Sequence, residues 1–294
     1  MPHKLFDLHY PVVRSSSMRY LLCLVGFGML ISPAKAELIY VSANSVYSQN
    51  FDSLPSLGTG LAWTNDTTLA GWYSTSTQFS ASSGSSSNRT LYSFGTDGNA
   101  DRALGIVSQG ASTDPQFSLA VRNETGATLD TISVGFDGEQ WRRSTTNIAA
   151  PQTLEFGYRT ATTLGAINSA TYTDVTSLGF TSPGFSLPGG PLDGNDSANR
   201  SSNISGTVSG LDWKPGEYLW LRWQNESNGS GSRHGLALDN FSFSASAAPG
   251  NITAVPEPSS VVLLLFTAGG LALLSRKRKK FALTMRSSCG RIAP

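Results

Sequence analysis

Two carboxylates raise the first chemical question. Asp137 and Glu139 stand two residues apart, so a strand presents both on one face. A retaining glycosidase needs such a pair, with carboxyl groups about 5 Å apart acting as acid and nucleophile. Trp141, two residues further on, supplies a ring that could stack on a sugar. No third acid follows at the Glu-X-Asp-X-X-Glu spacing of sandwich glycanases, because Trp141 and Arg142 occupy those positions. A surface carboxylate pair beside Arg142 and Arg143 is the plainer reading, and no catalytic residue is assigned.

The other reactive residue types are scarce. His234 is the only histidine between residues 37 and 250, with Asp239 five residues on. A serine hydrolase would need a Gly-X-Ser-X-Gly elbow, and Ser230 in Gly229-Ser230-Gly231 lacks that spacing. His234 therefore reads as an exposed loop histidine beside Arg233. Cys23 and Cys289 both lie outside the segment, so no disulfide framework, thiol nucleophile or Cys/His zinc site can form within it. Calcium is the better-supported metal, since it asks only for oxygen ligands. Asp52 in the opening strand and Asp239 in the closing strand are placed to share one structural ion. Asp193-Gly194-Asn195-Asp196 is a second oxygen-rich loop, but Ala198 and Ile204 stand where an EF-hand needs Gly and Glu. Asp and Asn of that kind also cap turns.

These groups need a frame, and the chain supplies one made of strands. Short alternating or apolar runs recur between Gly, Asn, Asp, Ser and Pro clusters, which is the all-β pattern. They are 38–41, 46–51, 71–73, 90–94, 103–107, 116–122, 129–138, 152–159, 173–175, 203–208, 217–224 and 235–245. In 116–122, Phe117, Leu119 and Val121 share one face. In 217–224, Leu219, Leu221 and Trp223 form the more apolar face, leaving Trp220 and Arg222 outside as a sugar-stacking pair. This many strands in 37–250 imply a jelly-roll-like sandwich of two sheets. The alternative is two smaller sandwiches dividing near 110–115. Ser82 to Asn88 reads as a surface loop, and 183–200 as a long loop without strands.

Charge is distributed unevenly. Residues 37–250 carry ten Lys/Arg and eighteen Asp/Glu, a net charge of −8 with Lys214 the sole lysine. Nucleic-acid binding needs clustered cations and is excluded as a function class. The ends are basic. Met18-Arg19-Tyr20, the apolar run Leu21 to Ile31 and Ala34-Lys35-Ala36 form the three parts of a signal peptide over 1–36, with Met18 the expected start. At the other end, 251–280 reads as a sorting tail. Val255-Pro256-Glu257-Pro258 precedes seventeen uncharged residues, 259–275, which span about 25 Å as a helix. Arg276-Lys277-Arg278-Lys279-Lys280 then holds that end in the cytoplasm, leaving 281–294 as a short cytoplasmic tail.

That tail resembles the PEP-CTERM protein-sorting signal in the order of its three elements. The resemblance implies a Gram-negative bacterium that makes exopolysaccharide, and an exosortase partner that recognises the tail at the membrane. It departs from the usual pattern in continuing past the basic cluster to Pro294. The centre is familiar too. Phe51-Asp52-Ser53-Leu54, Leu69-Ala70-Gly71-Trp72-Tyr73, Gly138-Glu139-Gln140-Trp141-Arg142, Leu219-Trp220-Leu221-Arg222-Trp223 and His234-Gly235-Leu236-Ala237-Leu238-Asp239-Asn240-Phe241 resemble, in that order, a domain recurring in secreted bacterial proteins. That family has no settled activity. The expectation is a non-catalytic cell-surface or matrix protein associated with exopolysaccharide. A secreted glycan hydrolase using Asp137 and Glu139, or a purely structural surface protein, is the alternative. Trp141, Trp220 and Arg222 are the candidate glycan-binding residues.

Processing can be tested directly. N-terminal sequencing of exported protein is expected to begin at Glu37. Replacing Glu257 by Ala is expected to alter the final location of the chain, read by cell fractionation, while leaving export itself intact.

Overall fold

The computed structural model describes residues 37–108, 113–145, 151–225 and 234–248. The signal segment 1–36, the motif 255–258, the apolar stretch 259–275, the cations 276–280 and the tail 281–294 lie outside the described residues. Among the described residues no helix is long and apolar enough to cross a membrane.

The first strands are β1 (Ile39–Tyr40), β2 (Tyr47–Gln49), β3 (Leu61–Ala62), β4 (Trp72–Ser74), β5 (Gln78–Ser82), β6 (Thr90–Phe94) and β7 (Ala103–Val107). After them come β8 (Gln116–Asn123), β9 (Thr131–Arg143), β10 (Thr153–Ala161), β11 (Thr173–Asp174) and β12 (Phe180–Thr181). β13 (Gly190–Pro191), β14 (Arg200–Val208), β15 (Tyr218–Asn225) and β16 (Gly235–Ser246) complete the described set. The smaller sheet runs β1-β8-β15-β10-β11, with β4 also on β8 and β12 also on β10. The larger runs β13-β9-β16-β7-β6-β5-β3, with β14 also on β9 and β2 also on β16. Most pairings are antiparallel, but β1 joins β8 and β5 joins β6 in parallel.

Alternation decides which side of each strand faces in. Phe117, Leu119 and Val121 of β8, and Leu219, Leu221 and Trp223 of β15, are buried in the space between the sheets, as their spacing predicts. Ile132, Val134 and Phe136 of β9 and Leu236, Leu238, Phe241 and Phe243 of β16 meet them from the larger sheet. This core draws on residues from Tyr40 to Ala245, on both sides of 110–115. Trp223 sits at its centre. Trp72, Phe117 and Phe156 of its own sheet and Phe136 and Phe241 of the other have ring centroids 5.3–6.0 Å from it. Edge-to-face contacts at 89° and 90° cross from sheet to sheet, an arrangement the aromatic quadrupole favours.

Some boundaries differ from expectation. β3, β5, β12 and β13 have no counterpart among the expected runs. β13 lies in 183–200, where no strand was expected, and pairs with Arg142 and Arg143. The Ser82 to Asn88 loop is not merely superficial. Gly84 is buried against β9, and a Cβ there would lie 1.8 Å from the Trp141 carbonyl oxygen.

Removing the central ring tests this account of the core. Trp223→Ala is expected to lower folding stability by roughly 3–5 kcal/mol in denaturant titration. Leu57→Ala, at a side chain 66% exposed, is expected to stay within about 0.5 kcal/mol of the parent.

Candidate functional site

Asp137, Glu139 and Trp141 project from β9 on the outer side of the larger sheet, and Asp239 stands opposite Asp137 on β16. The register slips on both sides of Asp137. On β14 the irregularity lies between Ser201 and Ile204, and on β16 between Asp239 and Ser242. Each bulge contains an asparagine in the left-handed region, Asn203 at φ 59° and Asn240 at φ 49°. Asp137 ties both down. Its Oδ1 accepts the Asn203 amide at 2.7 Å, and its Oδ2 accepts the Asn240 side chain at 3.0 Å and the Arg200 guanidinium. Burial pushes this carboxyl up, but those donors outweigh it and hold its pKa below the ordinary aspartate value. Asp137 is a clamp on two β-bulges.

Glu139 has the opposite fate. It is 1% exposed, accepts the Trp141 indole N–H at 2.9 Å through Oε2, and has Arg200 3.6 Å from Oε1. Burial pushes its pKa up to about 8, assisted by the charges of Asp239 and Asp101 and opposed by Trp141 and Arg200. Asp239, 4% exposed, is raised to about 7, again chiefly by burial. Trp141 is closed over. Its ring stacks on Phe94 at 6.3 Å, and a Cβ at Gly194 would lie 2.4 Å from the indole, so only glycine lets the 192–199 loop lie this close. The expectation that Trp141 offers a ring to a sugar is corrected: it is 1% exposed and packs in a small second core with Tyr92 and Phe94.

The remaining candidates separate. His234 is fully buried, not an exposed loop residue. Its Nδ1 accepts from Gln140 Nε2 at 3.0 Å and from the Ser144 amide at 3.2 Å, and burial pushes its pKa down to about 4. It lies on the inner side while Asp239 lies on the outer, so the two form no catalytic pair. Asp52 is exposed and has both oxygens engaged, Oδ1 with the Arg102 amide at 3.1 Å and Oδ2 with the Asn50 side chain at 2.6 Å. In the 193–196 loop, Asp193 and Asp196 accept the Asn195 and Ala198 amides at 3.1 and 3.0 Å, as turn caps do. Among the described residues no group of three or more His, Cys, Asp or Glu side chains gathers to hold a metal.

Trp220 and Arg222 do face outward from β15, as the alternation predicts, but a second layer covers the tryptophan. Trp220 is fully buried with Tyr73, Ile167 and Tyr172, and the Arg159 guanidinium lies 4.9 Å over its ring. Its expected role as a stacking platform is corrected. The Arg222 guanidinium lies 4.0 Å over Tyr172 and donates to Asp174 at 3.3 Å. Ser118 of β8 pairs with Arg222, and Gln116 pairs with Gln224, which donates to Glu155 at 3.1 Å. Beside this row a pocket of about 300 Å³ is lined by Thr153, Glu155, Asp174, Thr176 and Thr181, among others. Gln116 and Ser118 were legible in principle, since they alternate with Phe117 and Leu119. Tyr172, Arg159 and Arg200 carried no signal, because loops and distant strands bring them in.

Titration distinguishes the buried Glu139 from a surface carboxylate. In the fold it keeps its proton to about pH 8, while in the unfolded chain it ionises near the ordinary value of 4.5. Unfolding therefore releases a proton between these limits, and stability falls as pH rises through them. His234 is uncharged in the fold throughout this range, and the charge it gains on unfolding fades as pH rises above its ordinary value of 6.5. Between about pH 7 and about pH 8 Glu139 by itself is expected to cost the parent up to roughly 1.4 kcal/mol per unit, with Asp239 adding to the slope toward pH 7. Glu139→Gln is expected to remove most of that slope in denaturant titrations.

Residues 254–279 match the PEP-CTERM protein-sorting motif. No curated protein matches the chain. Among solved structures, the chain is similar to the CBM22-1 xylan-binding domain from Paenibacillus barcinonensis Xyn10C, at 12% identity and TM-score 0.34, over 71% of this chain and 100% of that one. It is also similar to the K3 cleaved adhesin domain of Lys-gingipain from Porphyromonas gingivalis w83, at 11% identity and TM-score 0.32, over 60% of this chain and 92% of that one. The sorting motif marks the chain for export and exosortase-dependent sorting to the cell surface.

Proposed function

We propose that this is a non-catalytic cell-surface or matrix protein whose sandwich associates with exopolysaccharide after exosortase-dependent sorting. The observation that carries the reading is the sorting motif at 254–279, attached to a β-sandwich in which Asp137 is tied to its neighbours and Glu139 is buried. A glycosidase using Asp137 and Glu139 would need both groups to reach a glycosidic oxygen and an anomeric carbon. Asp137 spends its oxygens on Arg200, Asn203 and Asn240, and Glu139 lies beneath the surface. That supports association without cleavage.

Affinity electrophoresis and a reducing-end assay, run on the full-length chain in detergent, separate the classes. The chain is expected to be retarded by a neutral polysaccharide and to release no reducing ends from it. Reducing-end release that disappears in Glu139→Gln would establish the hydrolase instead. Neither retardation nor release across a panel of matrix polysaccharides would leave a purely structural surface protein.

A further inference from the structure

A pocket of about 420 Å³ opens on the larger sheet where β2 meets β16, lined by Ser48, Gln49, Asn50, Asn240, Phe241 and Ser242. Its polar groups face solvent: Ser48, Asn50 and Asn240 are exposed, and Gln49 and Ser242 are half-buried. Two of its carboxamides are held in opposite senses. Asn240 donates through Nδ2 to Asp137 at 3.0 Å, which leaves its Oδ1 as an acceptor. Gln49 accepts the Phe51 amide at 2.9 Å through Oε1, which leaves its amide nitrogen as a donor. The pocket continues into an uncharged surface. Ser48 pairs with Ser242, Ser242 with Gly135 of β9, and Gly135 with Ser205 of β14, so one row crosses four strands. Two residues along, Ser244, Ser133 and Thr207 form a second row. Val134 and Phe243, between the rows, belong to the core, so alternation turns both rows outward. A Cβ on Gly135 would lie 2.9 Å from Ser242 Oγ, so glycine keeps the first row level. Neither row contains a charged side chain.

We propose that this pocket and the two rows beside it bind a neutral polysaccharide, which runs from the pocket across β16, β9 and β14. The proposal rests on the glycan-association reading above and assigns a surface to it. The lining selects the ligand class by exclusion. No cation lines the pocket or the rows to hold a sulfated or carboxylated polymer, and the net charge of −8 on residues 37–250 repels one. No carboxylate lines them to hold a metal ion. Phe241, the one large apolar residue of the lining, is 1% exposed, so a lipid or an apolar partner finds no patch. What remains is an acceptor on Asn240, a donor on Gln49 and hydroxyls that serve as either. A sugar hydroxyl, donor and acceptor at once, answers all of them. The frame suits an extended polymer as well. Adjacent strands lie about 4.8 Å apart, close to the length of one pyranose residue, so successive sugars meet successive strands.

The test uses the full-length chain in detergent, run in native gels containing hydroxyethylcellulose, galactomannan or dextran as neutral probes and alginate as a polyanion. The parent is expected to be retarded by at least one neutral probe and more weakly by alginate. Ser48→Glu in the pocket and Ser133→Glu in the second row each place a carboxylate beneath a neutral ligand, and each is expected to abolish that retardation. Both side chains are exposed, and an unchanged melting curve confirms that the fold is retained. Asn240→Gly, which keeps the backbone at φ 49° without strain, is expected to weaken retardation roughly fivefold, the effect of losing about one hydrogen bond. Asn168→Glu makes the same charge change on an exposed loop beside the smaller sheet and is expected to leave retardation as it is. Neutral retardation that survives both Ser48→Glu and Ser133→Glu would overturn the site while leaving glycan association standing. Stronger retardation by alginate than by every neutral probe would overturn the ligand class. A parent that sediments as a dimer and becomes a monomer in Ser133→Glu would assign the surface to a second copy instead. No retardation by any probe would remove the association reading and this site with it.

Discussion

The fold depends on the aromatic contact between its two sheets. Trp223 is enclosed by Phe117, Phe156 and Trp72 from its own side and by Phe136 and Phe241 from the other. Burial of rings this large is the principal favourable contribution to folding, and their edge-to-face geometry gives it direction. Once Trp223 faces inward, period-two alternation leaves no choice for its neighbours. Trp220 and Arg222 turn outward on β15, and Ser118 turns outward on β8. The same constraint on β9, acting through Phe136, turns Asp137, Glu139 and Trp141 away from the core. The chemistry of both outer surfaces is thus a consequence of the packing between the sheets.

Those outer surfaces are not bare. The 192–199 loop covers Trp141, and Ile167 and Tyr172 join Tyr73 over Trp220, so each sheet carries a small core on its far side. Covering the tryptophans removes their rings from water, and the indole nitrogens are buried with them. On the smaller sheet the result is a buried layer in which Arg159 and Arg222 lie over Tyr172 and Arg222 donates to Asp174. On the larger sheet it is a closed acidic cluster, in which identical functional groups acquire different properties. Asp137 and Glu139 are two residues apart, yet three donors keep one ionised while burial keeps the other protonated to about pH 8. Their spacing alone suggests a reacting pair, and their surroundings turn them into a bulge clamp and a neutral core carboxyl.

The sequence by itself determined whatever can be read without long-range contacts. The sorting motif is one case, since it is legible from the order of its residues along the chain. The all-β class and the inward sides of β8 and β15 are another, because alternation is local and long strands contain enough periods to be unambiguous. What only the tertiary structure decided is what lies over each outward side chain. Periodicity tells that Trp141 and Trp220 point away from the core, but not that loops far along the chain close over them. Nor can it place Asn240 against Asp137 across 103 residues, or set Ser118 beside Arg222. Strand register fixes those contacts, and register is settled by the whole sandwich packing at once, since a slip of one residue would turn every side chain of a strand to the opposite face.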